Sequence, residues 1–414
     1  MDMLVVPKPI FSRSKTVKGY YLSFQTGNAL LEEGKTFAYE NSISSPFIEF
    51  VNQIGLEVLT NNLPIFIPVS NVQLATNLEE VCTVDRTRVA LLLGRRVDLS
   101  AANIERVKYF KEQGFMVAFI HKDDYRALDP FLPYTDFIFS GSETSSVMPL
   151  LGHIRQKHFP TKVIARKITS EQIFEKMMAF GLEYFAGSFY MHPQISKDRR
   201  VSPLKINYIH LLNQVNQEDF DLDKFAGIVQ RDTALAIQFL KMVNSSSVRA
   251  NKITNLRHAA VLLGQREIKK WATTAVTSSL AQESPGEITR VSMLRAKFCE
   301  NLAGLFELAV QKENLFLMGL FSVLDIILET TMEDALNTVR VPDRVRDALL
   351  MKEPSFGEVY EFIRLYEKAD WVEVSRTALM KGFSIADIFN AYNSALTWYG
   401  QMIHMEIDEN GVSL

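Results

Sequence analysis

The rhythm of apolar and polar residues changes near residue 200. Before that point, short apolar runs alternate with amphipathic stretches. The runs at 17–24, 63–69, 88–93, 115–120, 136–139, 162–165 and 184–190 predict strands. Several are apolar on both faces, as strands of a sheet covered on both sides must be. The stretches at 46–59, 72–81, 100–113, 144–158 and 170–180 predict helices. Thr169 with Gln172 makes a capping box for the last of these. Such alternation predicts an α/β fold, a (β/α) barrel, with any chemistry at the C-terminal ends of its strands.

After a polar segment at 196–203, strand signals fade and three- and four-residue spacing takes over. Helices are predicted at 204–217, 222–230, 233–243, 255–263, 265–282, 289–311, 314–328, 342–351, 355–370, 373–381 and 384–404. Asp221, Asp232, Ser355 with Glu358, and Ser384 with Asp387 supply helix-start chemistry. Phe225, Ile228 and Val229, then Leu235, Phe239, Met242 and Val243, form a core-facing stripe rather than a cofactor box. The expected division is a barrel over 1–197 and an all-α domain over 198–414.

Composition narrows the function without choosing it. The 414 residues are 47% hydrophobic and 22% charged, ordinary for a soluble globular chain. A net charge of −3 supplies no global pull toward nucleic acid or anionic membrane. Cys82 and Cys299 are far apart, as expected of a reducing cytosol, and cannot make a zinc site alone. The start, with Asp2 and Pro7, does not read as a signal peptide. The most apolar stretch, 315–328, is too short to span a bilayer and contains Asp325. A cytoplasmic location is therefore expected.

Pro9-Ile-Phe-Ser-Arg, then Val17-Lys-Gly-Tyr-Tyr-Leu-Ser-Phe-Gln25, resembles the opening of an EAL-type barrel. Residues 114–119, 134–140 and 179–193 carry the resemblance on, over roughly 5–200. EAL barrels hydrolyse cyclic di-GMP, using carboxylates and an asparagine to hold divalent metals. In this chain the signature glutamate falls on Tyr21 and its nearby arginine on Gln25. The metal-binding asparagine falls on Pro68 and the next strand's glutamate on Leu92. The paired aspartates fall on Ile120 and His121, and the following lysine and aspartate on Phe139 and Gly141. The later glutamates fall on Arg166 and Thr169, and the late glutamine on Ala186. Asp123 and Asp124 mimic the lost aspartate pair, but alignment without gaps over 114–136 leaves them as loop or cap residues. A two-metal site needs several converging oxygen ligands, so no catalytic residue, metal or cofactor is expected.

Residues 223–229, 232–235, 239–245 and 253–264 resemble an HDOD domain, so the whole chain looks like an EAL–HDOD fusion. The fit covers roughly 204–280, with helices to about 400 expected to complete the domain. Thr233 and Asn255 replace a usual proline and serine but keep helix-start chemistry. HDOD domains resemble metal-dependent HD phosphohydrolases without their ligands. Accordingly none of His121, His153, His158, His192, His210, His258 and His404 precedes an aspartate. The Asn244–Ser247 break reads as a helix end or as part of a docking surface. Asn244, Ser245, Arg249, Lys252 and Arg257 form the candidate interaction surface. DNA binding is disfavoured, because no helix-turn-helix is evident.

The resemblance implies a non-catalytic bacterial signalling protein that acts through protein contacts, in motility, biofilm or virulence control. Regulatory protein partners and a homodimer are expected. The alternative is a cyclic di-GMP receptor without turnover, with Arg95, Arg96 or Arg166 meeting phosphate. Residual phosphodiesterase activity is the third reading.

Overall fold

The computed structural model describes residues 3–31, 42–121, 124–192, 203–217, 220–245, 253, 255–280 and 286–410. They form two compact units. One comprises Met1–His192 with Phe362–Leu414, and the other Pro193–Glu361. This differs from the expected split at 197/198. The last helices pack with the barrel rather than completing the helical domain.

Eight strands close the barrel in sequence order. They are β1 (Met3–Phe11), β2 (Val17–Thr26), β3 (Ile65–Val69), β4 (Val89–Leu93), β5 (Met116–Ile120), β6 (Phe137–Ser140), β7 (Lys162–Ile168) and β8 (Tyr184–Gly187). β1 runs antiparallel to β2 and β8, and the remaining neighbours are parallel. The all-buried β4 (Val89–Leu93) shows why these runs are apolar throughout: one face fills the barrel and the other meets a helix.

The sequence reading misses β1. Pro7 and Pro9 argue against an interior strand, because proline donates nothing to a ladder. They are tolerated because β8 pairs with β1 only at Ile10 and Phe11, so both prolines face a single partner strand.

Around the barrel lie α1 (Pro46–Ile54), α2 (Leu56–Thr60), α3 (Asn71–Leu74), α4 (Leu78–Val81), α5 (Ala101–Glu112), α6 (Thr144–Lys157) and α7 (Glu171–Ala179). The stretch expected as one helix over 46–59 is broken at Gly55, whose φ of 83° caps α1. The 72–81 stretch likewise divides into α3 and α4. α7 starts one residue later than expected: Ser170, not Thr169, accepts from the Ile173 N–H.

The second unit contains α8 (Pro203–Val215), α9 (Leu222–Val229), α10 (Thr233–Ser245), α11 (Leu256–Leu263), α12 (Gln265–Leu280), α13 (Gly286–Leu302), α14 (Lys312–Phe321), α15 (Leu324–Leu328), α16 (Met332–Thr338) and α17 (Asp343–Leu349). α18 (Pro354–Lys368) begins within it, and α19 (Trp371–Lys381) and α20 (Ile385–Asn410) follow in the barrel's unit. Asp221, Asp232 and Asn255 cap α9, α10 and α11 as expected. Ser355 does not cap α18, where Glu353 accepts the Phe356 N–H instead.

Phe225 packs edge to face on Phe239 and on half-buried Trp271, and Phe239 and Trp271 meet at a tilt with ring centres 4.7 Å apart. α13 and α14 cross closely at Gly319, where a side chain would collide with the Arg295 carbonyl at 2.5 Å. Buried Arg290 pairs with buried Glu287 at 3.1 Å, and Arg295 donates to Ser322 Oγ at 2.9 Å. Among the described residues no single helix is long and apolar enough to cross a membrane.

Phe362–Leu414 docks on the barrel through buried groups. The Tyr366 hydroxyl donates to the Val5 carbonyl at 2.9 Å and accepts from the Val5 N–H at 3.3 Å. Lys8 Nζ donates to the Glu367 carbonyl. Burial pulls the Lys8 ammonium down to about 8, with Glu367 acting in the opposite sense. Phe389 meets Phe50 with ring centres 6.0 Å apart.

Candidate functional site

The site is built from side chains that the strands turn into the barrel. Ile10, Phe66, Ala90, Leu92, Ala118, Phe139, Ile164 and Ala186 form one buried cluster. Tyr21, Met116, Ile120, Phe137 and Tyr184 pack against it. Phe139 lies 5.6 Å from Tyr21 and 5.1 Å from Phe66, both edge to face. The positions where the sequence expects lost ligands thus converge: Tyr21, Leu92, Ile120, Phe139 and Ala186 touch one core. Pro68 is in register with Leu92 on the adjacent strand.

Arg166 joins them. Its guanidinium lies over the Phe139 ring, 5.8 Å from the centroid. The backbone aims it there through an irregularity. The β7–β8 register shifts between Ala165 and Ile168, and Lys167 takes a φ of 61°. Gly187 makes the irregularity possible, because a side chain there would stand 2.1 Å from the Ile168 carbonyl oxygen.

The electrostatics of the mouth follow from burial. Burial raises the Tyr21 phenol above its ordinary range, with Arg166 opposing. Burial lowers the Arg166 guanidinium, Tyr21 raises it, and Arg95 adds to the lowering. Arg166 Nε is buried with no hydrogen-bond partner among the described residues. The mouth therefore holds a cation on an aromatic wall, with no carboxylate paired to it among the described residues.

The other expected positions lie around this core. His121 is buried beyond β5, its N–H donates to the Phe139 carbonyl at 2.8 Å, and its ring stacks near Tyr125. Gly141 directly follows β6. Thr169 is exposed ahead of the α7 cap and does not reach the cluster. Asp124 caps a 3₁₀ turn by accepting the Arg126 N–H, as a cap reading requires, while Asp123 lies outside the described residues. The sequence reading overlooks the aromatic wall itself. Its signal is the Phe137/Phe139 spacing of two, which puts both rings on one strand face.

These strand-end side chains do not fit a divalent metal pair. Hard cations need clustered oxygen donors, whereas the core offers hydrocarbon, a protonated phenol and a guanidinium. Among the described residues no three His, Cys, Asp or Glu side chains are gathered for a metal.

Only part of the proposed surface in the helical unit is described. Arg249 and Lys252 lie outside the described residues, as does the Ser245 side chain. Asn244 uses its amide internally: it donates to the Leu240 and Ile253 carbonyls and accepts from the Ile253 N–H at 2.8 Å. Arg257 is exposed and pairs with Asp223 at 2.5 Å. Arg266 pairs with Glu313 at 2.8 Å and Lys270 with Glu300 at 3.3 Å, so the basic flank is partly neutralised.

Residues 203–353 match the HDOD domain family. Cyclic di-GMP phosphodiesterase CdgJ of Vibrio cholerae serotype O1 is 30% identical over 303 residues, covering 71% of this chain and 69% of that protein. The uncharacterized protein YuxH of Bacillus subtilis is 26% identical over 416 residues, covering 96% and 98%. Among solved structures, the EAL enzyme Bd1971 with cAMP and cyclic di-GMP overlaps 45% of this chain and 60% of its own, at 14% identity and a TM-score of 0.38. The PaMucR phosphodiesterase in complex with cyclic di-GMP overlaps 45% and 94%, at 11% identity and a TM-score of 0.37. Both scores are too low to add weight.

The name of CdgJ overturns one expectation. A relative matched over most of this chain is called a phosphodiesterase, so the reading of the chain as no enzyme does not stand. With barrel, helical domain and relatives in agreement, the chain belongs to the EAL–HDOD family.

Proposed function

We propose that this protein works in cyclic di-GMP signalling, with its barrel mouth receiving the dinucleotide and its HDOD unit making the regulatory protein contact. The observation that carries the reading is Arg166. Its side chain is half-buried, with a buried Nε that has no acceptor among the described residues, and it stands beside an aromatic wall. That pairing suits a ligand with phosphates and flat bases, since guanidinium forks match phosphate and aromatic rings stack on bases. Arg95 adds positive charge to the same mouth. The name of CdgJ makes cyclic di-GMP the ligand to test first. For the contact, the HDOD unit exposes Ile237, Val261 and Leu262, the last two adjacent on α11.

Calorimetric titration of cyclic di-GMP, with and without Mn²⁺, tests the binding. Saturable heat supports it, and no heat at high micromolar nucleotide removes it. Chromatography of the same mixtures for the linear dinucleotide asks whether the activity named for CdgJ extends to this chain. A pull-down with the full chain, comparing wild type with Val261→Asp, tests the contact. A partner lost from the variant supports it, and no partner difference contradicts it.

A further inference from the structure

The helical unit contains a cavity of about 450 Å³ that the signalling reading does not use. His210, Gln214 and Gln217 reach it from α8 and the residues just after it, Ile228 from α9, Arg231 from just beyond α9, and Arg340 from beyond α16. Asn213 fixes the frame: its Nδ2 donates to the Thr338 carbonyl at 3.2 Å and its Oδ1 accepts from the Arg340 N–H at 2.6 Å. The Arg231 N–H donates to the Ile228 carbonyl at 3.1 Å, which carries the α9 turn to the rim.

Two features single out this cavity. First, Arg231 and Arg340 are exposed side chains that line the same space, and among the described residues neither guanidinium has a hydrogen-bond or ion-pair partner. Second, Gln214 is only 9% exposed, and its Nε2 is buried with no acceptor among the described residues. A buried amide donor without an acceptor is costly, so it calls for one. Arginine has no acceptor at all, and the orphan atom of Gln214 is a donor. The set is therefore matched by an acceptor-rich anion. Two guanidinium forks need more oxygens than one carboxylate offers, and phosphate supplies them. The volume lies within the range of small-molecule sites, and Ile228 supplies an apolar wall.

We propose that this cavity binds a small phosphate-bearing molecule, up to the size of a nucleoside monophosphate. The phosphate lies between Arg231 and Arg340, and Gln214 Nε2 donates to a ligand oxygen. The site belongs to the HDOD unit and is independent of dinucleotide binding at the barrel.

The test uses the full chain, titrated calorimetrically with GMP, AMP and inorganic phosphate at fixed ionic strength. Saturable binding of at least one probe is expected. Arg231→Gln/Arg340→Gln should weaken it by about tenfold or more, the loss expected for charge-assisted hydrogen bonds. Arg376→Ala, an exposed control in the barrel's unit, should leave it unchanged. Tighter binding of a nucleotide than of phosphate would show that the rest of the cavity is used, and equal binding would identify phosphate itself as the ligand. Gln214→Leu should raise the Tm of the ligand-free protein and reduce the increment that the ligand adds. The proposal is overturned if none of the probes saturates at millimolar concentration. It is equally overturned if the double variant binds like wild type and merely melts earlier, because the arginines would then only offset helix ends.

Discussion

The barrel lumen and the cavity of the helical unit are built in opposite ways. In the lumen, strands bring Phe66, Leu92, Phe139 and Ala186 together in one buried apolar cluster, with Arg166 and Tyr21 at its edge. In the helical unit, polar side chains from three separate segments surround an open space, and Gln214, Arg231 and Arg340 stay unpaired among the described residues. A barrel closes on its own interior and must fill it with whatever its strands carry. Short helices joined by turns can leave a hollow without breaking a ladder. In this chain the polar groups without partners among the described residues therefore sit at the edge of one core and around an open pocket of the other unit.

The largest effect should come from emptying the lumen. Phe139→Ala removes a fully buried ring that touches Tyr21 and Phe66, and should cost about 3–5 kcal/mol in denaturant unfolding of the barrel's unit. A much smaller loss would mean that the lumen is loosely packed and the contrast overdrawn.

Lys8 provides a pH test of how Phe362–Leu414 seals the barrel. Its ammonium titrates near 8 when folded, against an ordinary 10.5. Below pH 8 both folded and unfolded chains hold the proton, and between about 8 and 10.5 the unfolded chain holds more. Stability should therefore rise with pH across that window, by up to about 3 kcal/mol. Thermal melts of wild type against Lys8→Met should show the rise in the first and not in the second.

Tyr366→Phe deletes one hydroxyl shared by both backbone groups of Val5 and should cost about 1–2 kcal/mol. Faster hydrogen exchange at the Val5 amide is the accompanying readout. Arg257→Ala, which breaks an exposed pair with Asp223, should change stability by less than about 1 kcal/mol, measured by the same unfolding curves.

Much of this was legible in the residues. Parallel strands are buried on both faces, so seven of the eight appear as apolar runs, and local oxygen chemistry marks the starts of α9, α10 and α11. The misses have physical causes. Pro7 and Pro9 disguise β1, because one-sided pairing is a tertiary fact. Adjacent hydroxyls at Thr169 and Ser170 offer two equivalent caps, and only the backbone chooses between them. The amphipathic pattern of α19 and α20 says that one face is buried but not against which core. The contact from Tyr366 to Val5 spans nearly the whole chain. The positions that align with the EAL signature are readable as a set because they share strand ends. The Arg231–Arg340–Gln214 grouping is not, since its members carry no common motif.

The most direct test of the account is titration of cyclic di-GMP into the full chain and into Arg166→Ala. Saturable binding by wild type, weakened about tenfold or more in the variant, is the predicted result. No binding by wild type, or equal affinity in both proteins, would contradict it.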